Sequence, residues 1–189
     1  MTRGQGKAAL GVAGLVAALV AGVAVVFGRV RDVEVPRRGA WSSPPSVCVE
    51  APADRVLVGE ALGVLREHGI APGRLLPEGT PCDLRPGLVV VSVDPSLDVP
   101  GLADIDADGD LDEVTNDGAG VVWGRTRVHQ IETGGPIVEV DLRVHPRAQL
   151  TAHVHELLHA HGYGHPPAAP SGHVLHPTRA GLADWRGVP

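Results

Sequence analysis

Aromatic side chains are scarce: three Trp, one Tyr and one Phe stand among 189 residues. They supply no stacking platform for the bases of a nucleic acid. A basic surplus is missing too. Residues 32–189 carry twelve basic against twenty-two acidic side chains, a net of −10 with His neutral. That balance argues against nucleic acid as a partner and against docking onto anionic lipid headgroups. The sequence contains no P-loop, no nucleophile elbow and no internal repeat. Methionine occurs once, as Met1, and cysteine twice, as Cys48 and Cys82.

Charge is absent from one long run. Ala8 to Phe27 has no charged or strongly polar side chain, and it follows a short basic stretch from Met1 to Lys7. At about 1.5 Å per residue, a helix of that length crosses the ~30 Å hydrocarbon core of a bilayer. The run is apolar all round, unlike the half-buried helix of a soluble core. Residues 1–31 are therefore expected to be a transmembrane anchor, the reading we favour, or a secretory signal peptide with Gly22 and Ala24 before a cut. Either one puts the remainder outside the cytoplasm. Residues 32–45, with Pro36, Gly39 and Ser42-Ser43-Pro44-Pro45, read as a linker. In an oxidising compartment, an even cysteine count favours a Cys48–Cys82 disulfide.

The chemistry is concentrated further on. Eight of the ten histidines fall between His145 and His176. Within that tract, His155-Glu156-Leu157-Leu158-His159-Ala160-His161-Gly162-Tyr163-Gly164-His165 contains the pattern H-E-x-x-H-x-x-G-x-x-H without a gap. On a helix His155 and His159 share one face, so both imidazoles can reach one metal ion. Gly162 can adopt the left-handed backbone that ends a helix, which turns the chain back and brings His165 in as a third ligand. Glu156 projects to the flank of the site, where a metal-bound water would lie. Three protein ligands leave the fourth position open, which separates a catalytic zinc site from a closed structural one.

These eleven residues resemble the extended zinc motif of the metzincin metallopeptidases, and their setting is similar to that of a small, matrixin-like member. Residues 136–177 carry the likeness directly. It implies a zinc-dependent endopeptidase acting on polypeptides, with His155, His159 and His165 on zinc and Glu156 as the base. Metzincins also carry a methionine turn beneath the zinc. Here the equivalent stretch is Ser171-Gly172-His173-Val174-Leu175-His176-Pro177, with Leu175 where methionine is expected. Leucine has similar volume and can form the same apolar floor. Leu158 and His161 also depart from the usual residues of the family. A cysteine thiolate on the zinc, as in matrixin propeptides, is the rival role for Cys48 or Cys82, but neither lies in that motif.

A second feature is Asp104-Ile105-Asp106-Ala107-Asp108-Gly109-Asp110-Leu111-Asp112. Carboxylates at alternate positions, with glycine sixth, resemble the first half of an EF-hand-type loop. Calcium on Asp104, Asp106, Asp108, Asp110 and Asp112 is therefore expected, although Thr115 stands where the loop's last glutamate belongs.

Elsewhere, Ser46 to Glu50 and Leu88 to Val93 read as strands. Between them Asp54 caps a helix through Val56, Leu57, Ala61, Leu62 and Leu65 that stops at Gly69. Gly120 to Gly124 and Thr126 to Ile131 read as strands that could pair as a hairpin. Ile137 to Val144 alternates as an exposed or edge strand does. Leu182 and Trp185 are spaced as one helical face, expected to pack under the zinc helix. His153 and His161 lie off the ligand face and are expected to be exposed or to support the ligands. The fold expected is one α+β domain over residues 46–189, with a twisted mixed sheet and a zinc helix after its last strand. The competing function is an extracytoplasmic zinc- and calcium-binding module without catalysis, relying on the Asp-rich loop and the histidine tract.

Overall fold

In the computed structural model, which describes residues 33–98, 123–177 and 180–189, the sheet begins earlier than the sequence suggests. β1 (Ala40–Trp41) pairs in parallel with the start of β6 (Pro136–Val144), so the expected linker contributes a strand. Gly39 marks close approach there rather than freedom. A Cβ on it would run into the Gln130 side chain and lie 2.9 Å from the Gly135 carbonyl. The expected anchor or signal segment, residues 1–31, lies outside the described residues. Among the described residues no helix is long and apolar enough to cross a membrane.

The remaining strands are β2 (Ser46–Val49), β3 (Arg74–Leu75), β4 (Leu88–Val93) and β5 (Gly124–Gln130). Their order is β1-β6-β4-β2-β3, every neighbour parallel, with β5 antiparallel to β6. The architecture is mixed α/β, with a mainly parallel sheet and two described helices. Parallel neighbours need a crossover, and α1 (Arg55–Glu67) supplies the one between β2 and β3. It forms where expected: the Asp54 carboxylate accepts the amide hydrogens of Val56 (2.9 Å) and Leu57 (3.1 Å). Gly69 follows with φ of 77°. Val58, Ala61, Leu62 and Leu65 are buried at helical spacing, while Val56 faces solvent.

Two strands are buried on both faces. Val47, Val89 and Val91 face the main core with α1 and α2 (Leu150–Ala160), whereas Cys48, Leu88 and Val90 face a smaller cluster with Leu76. A Cys48–Cys82 disulfide closes that second side. Burial from both sides explains why β4 reads as an unbroken apolar run.

β6 corrects an expectation. It is central, between β4 and β5, not exposed or at an edge. Its alternation reports a core on one face, with Val140, Leu142 and Val144 inward. A register shift opposite His129 and Gln130 brings Ile137 to the same core. The expected hairpin over 120–131 is one described strand, β5, and residues 120–122 lie outside the described chain.

The C-terminal segment is also corrected. Leu182 and Trp185 are not on a helix: the Trp185 indole N–H donates to the Leu182 carbonyl (3.0 Å), and its ring stacks on His68 at 3.7 Å. The tail therefore closes over the end of α1.

Candidate metal centre

α2 has a weak beginning. Gln149 provides no side-chain cap, yet every residue from His153 to Ala160 is buried. Its end is better specified. Gly162 has φ of 82°, the Gly162 amide donates to the His159 carbonyl (2.8 Å), and the Tyr163 amide donates to the Leu158 carbonyl (3.1 Å). This is the Schellman pattern that glycine permits. A Cβ on Gly162 would also collide with the Gly39 carbonyl, so no other residue fits.

That turn brings three imidazoles together. The Nε2 atoms of His155, His159 and His165 lie 2.9 to 3.0 Å from one another. The Nδ1–H of His155 donates to the Val174 carbonyl (2.8 Å), and that of His159 to the Tyr163 carbonyl (2.6 Å). A carbonyl only accepts, so the proton of each of those two rings sits on Nδ1 and its Nε2 lone pair points inward. Lone pairs crowded this closely repel unless a cation lies between them. Tetrahedral zinc with bonds of about 2.0–2.1 Å sets its nitrogens about 3.3 Å apart, close to this triangle. Burial, then the neighbouring imidazoles, push the pKa of His155, His159 and His165 down to about 3, so all three are neutral ligands at pH 7. They form the one group of three ligating side chains among the described residues able to hold a metal ion.

Glu156 sits at the flank. Its carboxylate Oε2 accepts a hydrogen bond from the Thr126 hydroxyl of β5 (2.6 Å), which also lies 3.1 Å from the Glu156 carbonyl. Gly124 on the same strand makes the room: a Cβ there would stand 2.6 Å from Glu156 Cδ and 2.7 Å from Oε1. Neither residue was singled out from sequence, though an isolated glycine at a strand's start signals close approach of something else.

The floor is the turn around Leu175. Leu175 is fully buried in the main core, and the preceding carbonyl, that of Val174, is the one that holds His155. His173 pins this turn. Its Nδ1 accepts the Leu175 amide hydrogen (3.0 Å), and its Nε2–H donates to the Arg186 carbonyl (2.8 Å). No role for His173 was apparent from spacing.

His153 and His161 are buried rather than exposed. Each donates Nδ1–H to the carbonyl four residues back, Gln149 at 3.0 Å and Leu157 at 2.7 Å. Neither joins the ligand triangle. The five aspartates proposed for calcium, Asp104, Asp106, Asp108, Asp110 and Asp112, lie outside the described residues.

The residues before β1 complete the site. The Arg38 amide donates to the Gly162 carbonyl (2.8 Å) and the Gly164 amide to the Pro36 carbonyl (2.8 Å). The Arg37 guanidinium covers the Tyr163 ring at 4.1 Å. The loop that delivers His165 is thus bonded along its length to residues 36–38. These groups define a three-histidine centre that could hold one metal ion, with a carboxylate beside it. Compared with known proteins, the chain matches no family model, no curated protein and no solved structure.

Proposed function

We propose that this protein is a zinc-dependent endopeptidase of the metzincin, matrixin-like kind, exported from the cytoplasm. The observation that carries the reading is the triangle of His155, His159 and His165 Nε2 atoms with Glu156 next to its first member. Zinc, when bound there, supplies Lewis acidity that lowers the pKa of water and polarises a carbonyl. Glu156 takes the proton of the attacking water and passes it to the leaving amine. Thr126 orients that carboxylate through its hydroxyl. β5, which pairs with β6 alone among the described strands, offers its other edge to an extended substrate through main-chain hydrogen bonds. The Cys48–Cys82 disulfide supports an oxidising, extracytoplasmic location.

Glu156→Gln is expected to keep one zinc per chain and to lose about 10²- to 10⁴-fold in peptide turnover. Zinc stoichiometry and cleavage of a proteome-derived peptide library, with and without chelator, measure both. Unchanged proteolysis in that variant would rule the mechanism out. One observation favours a second reading. Glu156 is only 1% exposed and already hydrogen-bonded, as befits a metal-binding module without catalysis. Tight zinc with no turnover of any library peptide would select that module.

A further inference from the structure

Arg38 is held by its backbone from two sides. Its amide donates to the Gly162 carbonyl (2.8 Å), and its carbonyl accepts from the Gln130 side-chain amide at the end of β5 (2.9 Å). The side chain then lies across Gly164, the residue before His165. Arg38 Nε is 3.0 Å and Cζ 3.5 Å from where a Gly164 Cβ would stand, so the glycine leaves the guanidinium its place. Arg37, its neighbour, turns the other way onto Tyr163.

The side chain of Arg38 is exposed and has no ion pair or hydrogen bond among the described residues. This is notable in a region with ten more acidic than basic side chains. Arg38 stands over the residue next to His165, the third member of the histidine triangle. A cation beside a dication site weakens metal binding unless an anion joins them. The anions a polypeptide substrate can bring are carboxylates, and an arginine fork receives a carboxylate through two parallel hydrogen bonds.

We propose that Arg38 determines specificity, its guanidinium receiving a substrate carboxylate next to the scissile bond. The inference rests on the peptidase reading for its substrate. The carboxylate has two sources, an acidic side chain or the free C-terminus of a short peptide.

The experiment uses matched peptides. One pair carries Glu or Gln at the residue just before or just after the cleaved bond. A second pair ends shortly beyond it with a free or an amidated C-terminus. The wild type is expected to prefer the Glu peptide, the free terminus, or both by about ten- to hundredfold in kcat/KM, the scale of a charge-assisted hydrogen bond. Whichever pair shows the preference names the source. Arg38→Glu should invert the preference and Arg38→Lys should keep part of it, both with zinc content unchanged. Arg66→Glu makes the same charge change on α1, beside the cavity lined by Pro44 and Arg74, and should leave the preference alone. If Arg38→Glu retains the wild-type preference, or Arg66→Glu abolishes it equally, the proposal is overturned.

Binding separates this from the peptidase reading. Fluorescence anisotropy of the same peptides on Glu156→Gln protein should show the carboxylate preference, inverted on adding Arg38→Glu. A preference in binding with no cleavage by the wild type would end the peptidase reading and keep the carboxylate site. Equal binding and equal cleavage of all partners would do the reverse.

Discussion

α1 and α2 pack against each other, yet they are helices for different reasons. α1 carries its own instructions: a capping aspartate, a stripe of four buried apolar residues, and glutamates and arginine outward. α2 carries few. It has no side-chain cap, and eight consecutive residues are buried, four of them His or Glu. A helix buried on every side owes its stability to its surroundings. For α2 these are β5, β6, α1, the Leu175 turn and the segment before β1. One helix is scaffold, and the other is the inside of a site.

The difference can be broken at four places. His159→Ala removes a ligand, so bound metal should vanish from elemental analysis. With it goes the metal's stabilisation, about 4 kcal/mol when metal is a thousandfold above its Kd. A variant that still holds one tight metal would mean the triangle is not the site. Leu175→Ala should cost about 2 to 5 kcal/mol in denaturant unfolding, and metal affinity should fall with it because the Val174 carbonyl loses its support. Leu175→Met should stay within about 1.5 kcal/mol of the wild type. Full stability in the alanine variant would show that this turn is not the floor.

Gly124→Ala should cost about 1 to 3 kcal/mol by overpacking against Glu156. Its signature is selective: peptide turnover drops while metal stoichiometry holds. The smallest effect belongs to α1. Asp54→Ala should cost about 0.5 to 2 kcal/mol by calorimetry and leave metal affinity as it was. If metal affinity falls there as well, the two helices are one unit and the contrast fails.

The same contrast explains what could be read beforehand. α1, β2, β4 and the histidine spacing are local patterns, each written within about a dozen residues, and all four are found at the places expected. What escaped depends on partners distant in sequence. Thr126 meets a carboxylate thirty residues away, and nothing in its own strand announces that. β6 alternates as an edge strand would, because periodicity reports how many faces are buried and not how many neighbours are paired. Buried His153, His161 and His173 are polar in composition, yet each hands one ring N–H to a backbone carbonyl, which hydropathy does not register. Residues 32–45 look like a spacer for the same reason, since proline and glycine serve close approach as well as they serve flexibility.

The bonding of residues 36–38 to residues 162–164 sets an order of events as well as a shape. The first partner leaves the ribosome more than a hundred residues before the second. Until then residues 36–38 have nothing to lie along, and long-range closures of this kind come late in folding. A chain still being made therefore holds at most two of its three imidazoles in register. The candidate metal centre can close only once residues 36–38 and 162–165 are both free to meet.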